Sequence, residues 1–195
     1  MFRSIEFGGS LGQMIDGRTR ASNDNVDLVD ALDAHIQNHP TATAALLAWC
    51  LAHDIGKGPI VAEISHSNRD ALKPSQMMNR CSHRTVRLKR GNAVLSYAEL
   101  SYRPSLLPTQ IRNALQRTCV PFGCLIAPLS PWRETTFSCS TPDAQDLTQT
   151  RNGAAVLIHH ATVYIQGGKP IARVREFYTS ALITGATDAF QTASI

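Results

Sequence analysis

Residues 156–182 read VLIHHATVYIQGGKPIARVREFYTSAL, two runs of strand-forming residues on either side of Gly167-Gly168-Lys169-Pro170. The glycines and the proline are turn formers, so Val156 to Leu182 predicts a β-hairpin. Side chains in a strand alternate between two faces. In the second strand Ala172, Val174, Glu176 and Tyr178 therefore share one face, and Arg173 and Arg175 take the other. The arginines mark the wet side, which points Glu176 into the apolar layer. An ionised carboxylate is costly there unless a cation or a hydrogen-bond donor meets it, and catalytic and ligand-binding carboxylates occupy such positions. The plainer alternative is an edge-strand glutamate paired with an arginine of a neighbouring strand, since Ile171 and Phe177 fall on the arginine face.

Upstream of the hairpin, residues 1–25 are rich in Gly, Ser, Asn and Arg and predict an irregular lead-in to a single domain over 26–195. Asp24 or Asn25 can cap a helix whose stripe is Val26, Leu28, Val29, Leu32 and Ile36, ended by His39-Pro40. Thr41 or Thr43 can cap a second helix over Ala44 to His53, with Leu46, Leu47, Trp49, Cys50 and Leu51 facing inward and Gly56 and Gly58 stopping it. Strands follow at Ile60 to Ile64, Thr85 to Lys89 and Ala93 to Tyr102, the last two joined by Arg90-Gly91-Asn92. Pro108 to Gln116 predicts a helix, Pro121-Phe122-Gly123 a turn, and Pro128 to Asp146 a polar stretch without periodicity. Gln145 to Asn152 has the composition of a loop that covers a pocket. Helices first, then hairpin-linked strands with one helix inserted, predict an α+β domain with a single antiparallel sheet and flanking helices. No internal repeat is present.

The chain has 195 residues, 43% of them hydrophobic, enough for one good core. A net charge of +4, from 19 basic and 15 acidic residues, suits anionic small molecules. No dense basic run with interleaved aromatics occurs, so nucleic acid is not an expected partner. The five cysteines include no CxxC pair and no zinc-site spacing, and read as reduced, mostly buried thiols. The first residues form no signal peptide and no apolar run approaches a membrane span, so the expected location is the cytoplasm, as a monomer or homodimer.

Leu51-Ala52-His53-Asp54-Ile55-Gly56-Lys57 resembles the His-Asp signature of HD-family metal phosphohydrolases, whose adjacent His and Asp hold a divalent metal. That chemistry needs further ligands from separate helices. Here His35 and His39 precede His53 by only 18 and 14 residues, and the following residues alternate like strands. A His-Asp pair before glycines is also an ordinary helix C-terminus, and no metal site is expected.

Four landmarks in order resemble chorismate lyase, which makes 4-hydroxybenzoate and pyruvate: Leu46-Leu47-Ala48-Trp49 through His53-Asp54, Thr85-Val86-Arg87-Leu88, Pro121-Phe122-Gly123, and Gly168-Lys169-Pro170 followed by Glu176-Phe177-Tyr178. The resemblance covers residues 44 to 182 and implies a cofactor-free elimination of pyruvate. It implies Arg87 as the cation for a substrate carboxylate, amides around Phe122 and Gly123 as neutral donors, and Glu176 as the group that handles the proton. Three features depart from the family: Ile55-Gly56-Lys57 replaces a segment with a substrate-contacting methionine, residues 132–152 differ, and the interval from Pro170 to Glu176 is one residue longer. The longer interval predicts a β-bulge or a slipped register, and a one-residue slip turns Glu176 to water. Arg87 by parity alone belongs to a wet stripe with Thr85 and Lys89. His159 and His160 are adjacent on a strand and face opposite ways. The same resemblance extends to UTRA effector-binding domains, which implies the alternative of a protein that binds a small aromatic carboxylate or dicarboxylate without turning it over.

Overall fold

The computed structural model of the chain describes residues 25–67, 81–142 and 153–184. The expected lead-in, apart from Asn25, and the whole of the expected lid lie outside them. The described elements are α1 (25–37), α2 (Ala42–Ala52), β1 (Ile60–Ser67), β2 (Ser82–Arg90), β3 (Ala93–Tyr102), α3 (Thr109–Arg117), α4 (Phe122–Ile126), β4 (Trp132–Ser140), β5 (Ala155–Ile165) and β6 (Lys169–Thr179). The six strands form one antiparallel sheet in the order β1-β2-β3-β6-β5-β4. This is the α+β architecture, one antiparallel sheet with flanking helices, that the element order predicts.

The helical stripes account for the layer on top of the sheet. Val29, Leu32 and Ile36 of α1 are buried together with Leu46, Trp49 and Cys50 of α2 and with Val86, Leu88, Leu95 and Tyr178 of the sheet. A second apolar cluster joins Leu115 of α3 and Ile126 of α4 to Leu100, Val163 and Ile171. Leu47 and Leu51, expected inward, are 40% and 63% exposed. At 100° per residue the stripe through Leu46, Trp49 and Cys50 turns them to the flank of α2. The cysteines also differ from expectation. Cys50 is buried and its thiol is pushed up to about 11, chiefly by burial, whereas Cys81, Cys119, Cys124 and Cys139 are exposed.

α2 begins and ends on its own chemistry. Thr41 caps it by accepting from the Ala44 amide at 3.2 Å. At the other end Asp54 adopts the left-handed conformation (φ 51°) and the Ile55 amide donates back to the Cys50 carbonyl at 2.9 Å. The buried Arg90 then donates to the carbonyls of Cys50, Ile55 and Gly58, at 3.2, 2.8 and 2.9 Å. Gly56 has φ 65°, and a Cβ there would collide with the Arg90 carbonyl oxygen. The His-Asp motif is thus a helix terminator sealed by β2. A six-stranded sheet is incompatible with the all-helical phosphohydrolase architecture. Among the described residues no group of three or more His, Cys, Asp or Glu side chains converges as metal ligands.

Two differences from the sequence reading bear on the site. Pro128 to Asp146 contains a nine-residue strand, β4, at the sheet edge. Most of its side chains are exposed, so no hydrophobic alternation marks it. Pro121-Phe122-Gly123 is the start of a short helix rather than a turn.

Candidate functional site

The position of Glu176 depends on one irregularity in β6. Val163 faces Ala172 while Tyr164 faces Pro170, so Ile171 is the extra residue of a β-bulge. Ile171 and Ala172 are consequently both buried, and alternation resumes with Arg173 and Arg175 exposed and Glu176 and Tyr178 buried. Had the interval been absorbed by a slip instead, the parity of Glu176 would be reversed. The bulge keeps its carboxylate on the helix-covered face, opposite Ala98 of β3 and His159 of β5.

There the carboxylate meets a residue of the unexpected strand. Arg133 Nη2 lies 2.9 Å from Glu176 Oε2, and the side chains are only 2% and 8% exposed. Tyr178 donates its hydroxyl to the same Oε2 at 2.9 Å, and Arg133 Nη1 donates to the Tyr178 oxygen at 3.4 Å. Burial works against the Arg133 charge, but Glu176 and then Tyr178 outweigh it and raise the guanidinium pKa. The Tyr178 hydroxyl is pushed well above its ordinary value by burial and then by the Glu176 charge. His159 stands edge-on to the Tyr178 ring at 5.1 Å, and its Nε2 is 2.7 Å from Asp33 of α1.

A cavity of about 60 Å³ opens beside this cluster, at the junction of the two apolar clusters. Its wall is mainly aliphatic, including Val86, Leu100, Val163 and Val174, with Thr41 and Thr43 at the α2 N-terminus and Phe122 and Gly123 of α4. The polar exceptions with charge are Arg84, Arg133 and Glu176. Gly123 is required here by close approach: a Cβ would lie 2.8 Å from Thr43 Oγ1 and 3.0 Å from Thr41 Cβ.

Both guanidinia retain donors. Arg133 Nε and Nη2 have no hydrogen-bond acceptor, for although Nη2 is at ion-pair distance from Glu176 the contact lacks hydrogen-bond geometry. Arg84 is 3% exposed, its Nε is also without an acceptor, and its Nη2 makes one long contact, 3.5 Å, to the Thr118 carbonyl. No ion pair reaches Arg84 among the described residues. Burial lowers its pKa, as for a cation without a counter-ion, against smaller opposing effects of Tyr102 and Cys119.

Of the residues expected at the site, Glu176, Phe122 and Gly123 line the cavity and Arg87 does not. Arg87 is on the opposite face of the sheet, 3.0 Å from Glu63, with its side chain 44% exposed. Its parity with Thr85 and Lys89 places it there, and the proposed Arg87–Glu176 partnership is not formed. The same parity puts Arg84, three residues earlier, on the cavity side with Val86 and Leu88. Arg84 was legible by this test, whereas Arg133 was hidden by the lack of pattern in β4.

No family model matches this chain. A curated relative, "Uncharacterized protein y4mC" of Sinorhizobium fredii, is 25% identical over 178 residues, covering 78% of this chain and 74% of that protein. Similar solved structures include the ligand-binding domain of a GntR-family transcriptional regulator from Bordetella bronchiseptica, with TM-score 0.39 and 12% identity over 62% of this chain and 86% of that one. The effector domain of PhnF from Mycobacterium smegmatis gives 0.38 and 8%, over 62% and 81%. Overlaps this partial carry no functional argument, which rests on the site itself.

Proposed function

We propose that this chain is a ligand-binding domain whose cavity takes a small organic monocarboxylate with an apolar body. The observation that carries the reading is the pair of buried guanidinia, Arg84 and Arg133, with unused donors on an otherwise aliphatic wall. Each guanidinium keeps an Nε donor without an acceptor, and a charged N–H donates strongly to a carboxylate, while Arg133 Nη2 is held 2.9 Å from Glu176. Charge counting sets the class. Two cations against one carboxylate leave one positive charge uncompensated, and a buried unpaired ion costs several kcal/mol. One ligand carboxylate cancels it, and a dianion overshoots.

The same count separates binding from lyase chemistry. Chorismate carries two carboxylates, and the Glu176 oxygen that would handle its proton is committed to Arg133 and Tyr178. A lyase reading nevertheless draws support from one observation, a glutamate in the cavity wall beside a guanidinium, with Arg84 or Arg133 in the part first given to Arg87. Incubation with chorismate without added metal, followed for 4-hydroxybenzoate and pyruvate, distinguishes the two. The binding reading expects no release, together with saturable calorimetric binding of 4-hydroxybenzoate. Turnover that Glu176→Gln abolishes would replace it with the lyase.

A further inference from the structure

The opposite face of the sheet carries a second, independent surface. Cross-strand register assembles it in rows: His83, Ser101, Arg173 and Thr162 in one, and Thr85, Glu99, Arg175, His160 and Phe137 in the next. These rows floor an open groove of about 600 Å³. Aromatic side chains flank it on both sides. Trp132 and Tyr164 stack at 4.1 Å with 8° between their planes, Phe137 lies 5.0 Å from the His160 ring, and Tyr97 pairs with Phe177 in the row beyond. Trp132, Phe137 and Tyr97 are 45%, 47% and 37% exposed.

We infer that this face is a binding platform for single-stranded nucleic acid. Flat exposed rings accept the π-face of any base, and guanidinia between them meet the phosphates. Beside the groove Glu99 is paired with Arg175 at 3.3 Å, while Glu134, at the sheet edge, accepts from Tyr164 at 3.0 Å and keeps its charge. The exposed Arg173 has no ion pair among the described residues and sits between Ser101 and Thr162. A second copy of the chain is a poorer occupant, because two such faces apposed would bring Arg173 and Arg175 against their own copies. A sequence scan finds no basic aromatic run because the sheet draws these residues from five strands spread between His83 and Phe177.

The test is fluorescence anisotropy of labelled 15-residue oligouridine and oligothymidine with the full chain, at about 50 mM and about 200 mM salt. Saturable binding that weakens with salt is expected. Trp132→Ala and Phe137→Ala should each weaken it about five- to hundred-fold. Arg173→Ala should weaken it and flatten the salt dependence, while Arg117→Ala, on the helix side, should leave it unchanged. All four residues are exposed enough that melting of the variants should match the parent. Absence of saturable binding overturns the proposal, as does an equal loss in Arg117→Ala, which would indicate net charge alone. Light scattering that finds a dimer disrupted by Trp132→Ala would overturn it in favour of a second copy.

Discussion

Two arginine–glutamate pairs on opposite faces of one sheet have nearly the same length and different physical weight. Arg87–Glu63, at 3.0 Å, has side chains 44% and 46% exposed; Arg133–Glu176, at 2.9 Å, is almost dry. Water screens the first pair and hydrates each partner when the other leaves, so it contributes little. The second was desolvated on folding, and neither charge can lose its partner cheaply. One face of the sheet therefore tolerates change in its charges, and the other is built around them. Strand parity, set in β6 by the Ile171 bulge, decides which pair is which.

The largest expected effect comes from breaking the dry pair. Arg133→Met leaves Glu176 buried without its cation and should destabilise the protein by about 3–5 kcal/mol in chemical denaturation. The double variant Arg133→Met/Glu176→Leu should recover much of that loss. Full retention of stability in the single variant would mean that the pair is hydrated in solution.

A smaller loss is expected from Tyr178→Phe, which removes the hydroxyl donating to Glu176 and should cost roughly 1–3 kcal/mol. A third probe is pH. His159 is held below its usual pKa by burial and next by the Arg133 charge, against the pull of Asp33. The folded protein thus binds this proton less readily than the unfolded chain. Its contribution is complete above about pH 6.5 and is lost as pH falls through the depressed folded value. His53, also lowered, adds a slope of the same sign. His159→Gln should flatten stability against pH below 6.5, and an unchanged slope would assign it to His53. The smallest effect is on the wet face, where Arg87→Ala should cost under about 1 kcal/mol and leave ligand binding intact.

What the sequence disclosed follows the strength of local pattern. The closing hairpin, the α1 stripe and the Thr41 cap were legible because periodicity and side-chain chemistry agreed there. Glu176 was legible from the parity of its neighbours in the strand, but its orientation also required the Ile171 bulge, which only a longer interval hinted at. β4 was illegible. An edge strand of mostly exposed Thr, Ser and Cys carries no period-two signal, although its β-branched pair Thr135-Thr136 between Trp132 and Phe137 was a weak one. Because Arg133 comes from that strand, its counter-ion was sought in the wrong arginine. No local reading predicts that β6, last in sequence, lies between β3 and β5.

On this reading Arg84 and Arg133 hold a ligand carboxylate inside the cavity. Isothermal titration calorimetry of 4-hydroxybenzoate against its neutral amide, with the parent chain and Arg84→Met, tests it most directly. Saturable binding of the acid is expected, with at least tenfold weaker binding of the amide and loss of that preference in Arg84→Met, a charge-assisted hydrogen bond being worth about 1.5–3 kcal/mol. Equal affinity for acid and amide, or a preference unchanged by Arg84→Met, would contradict it.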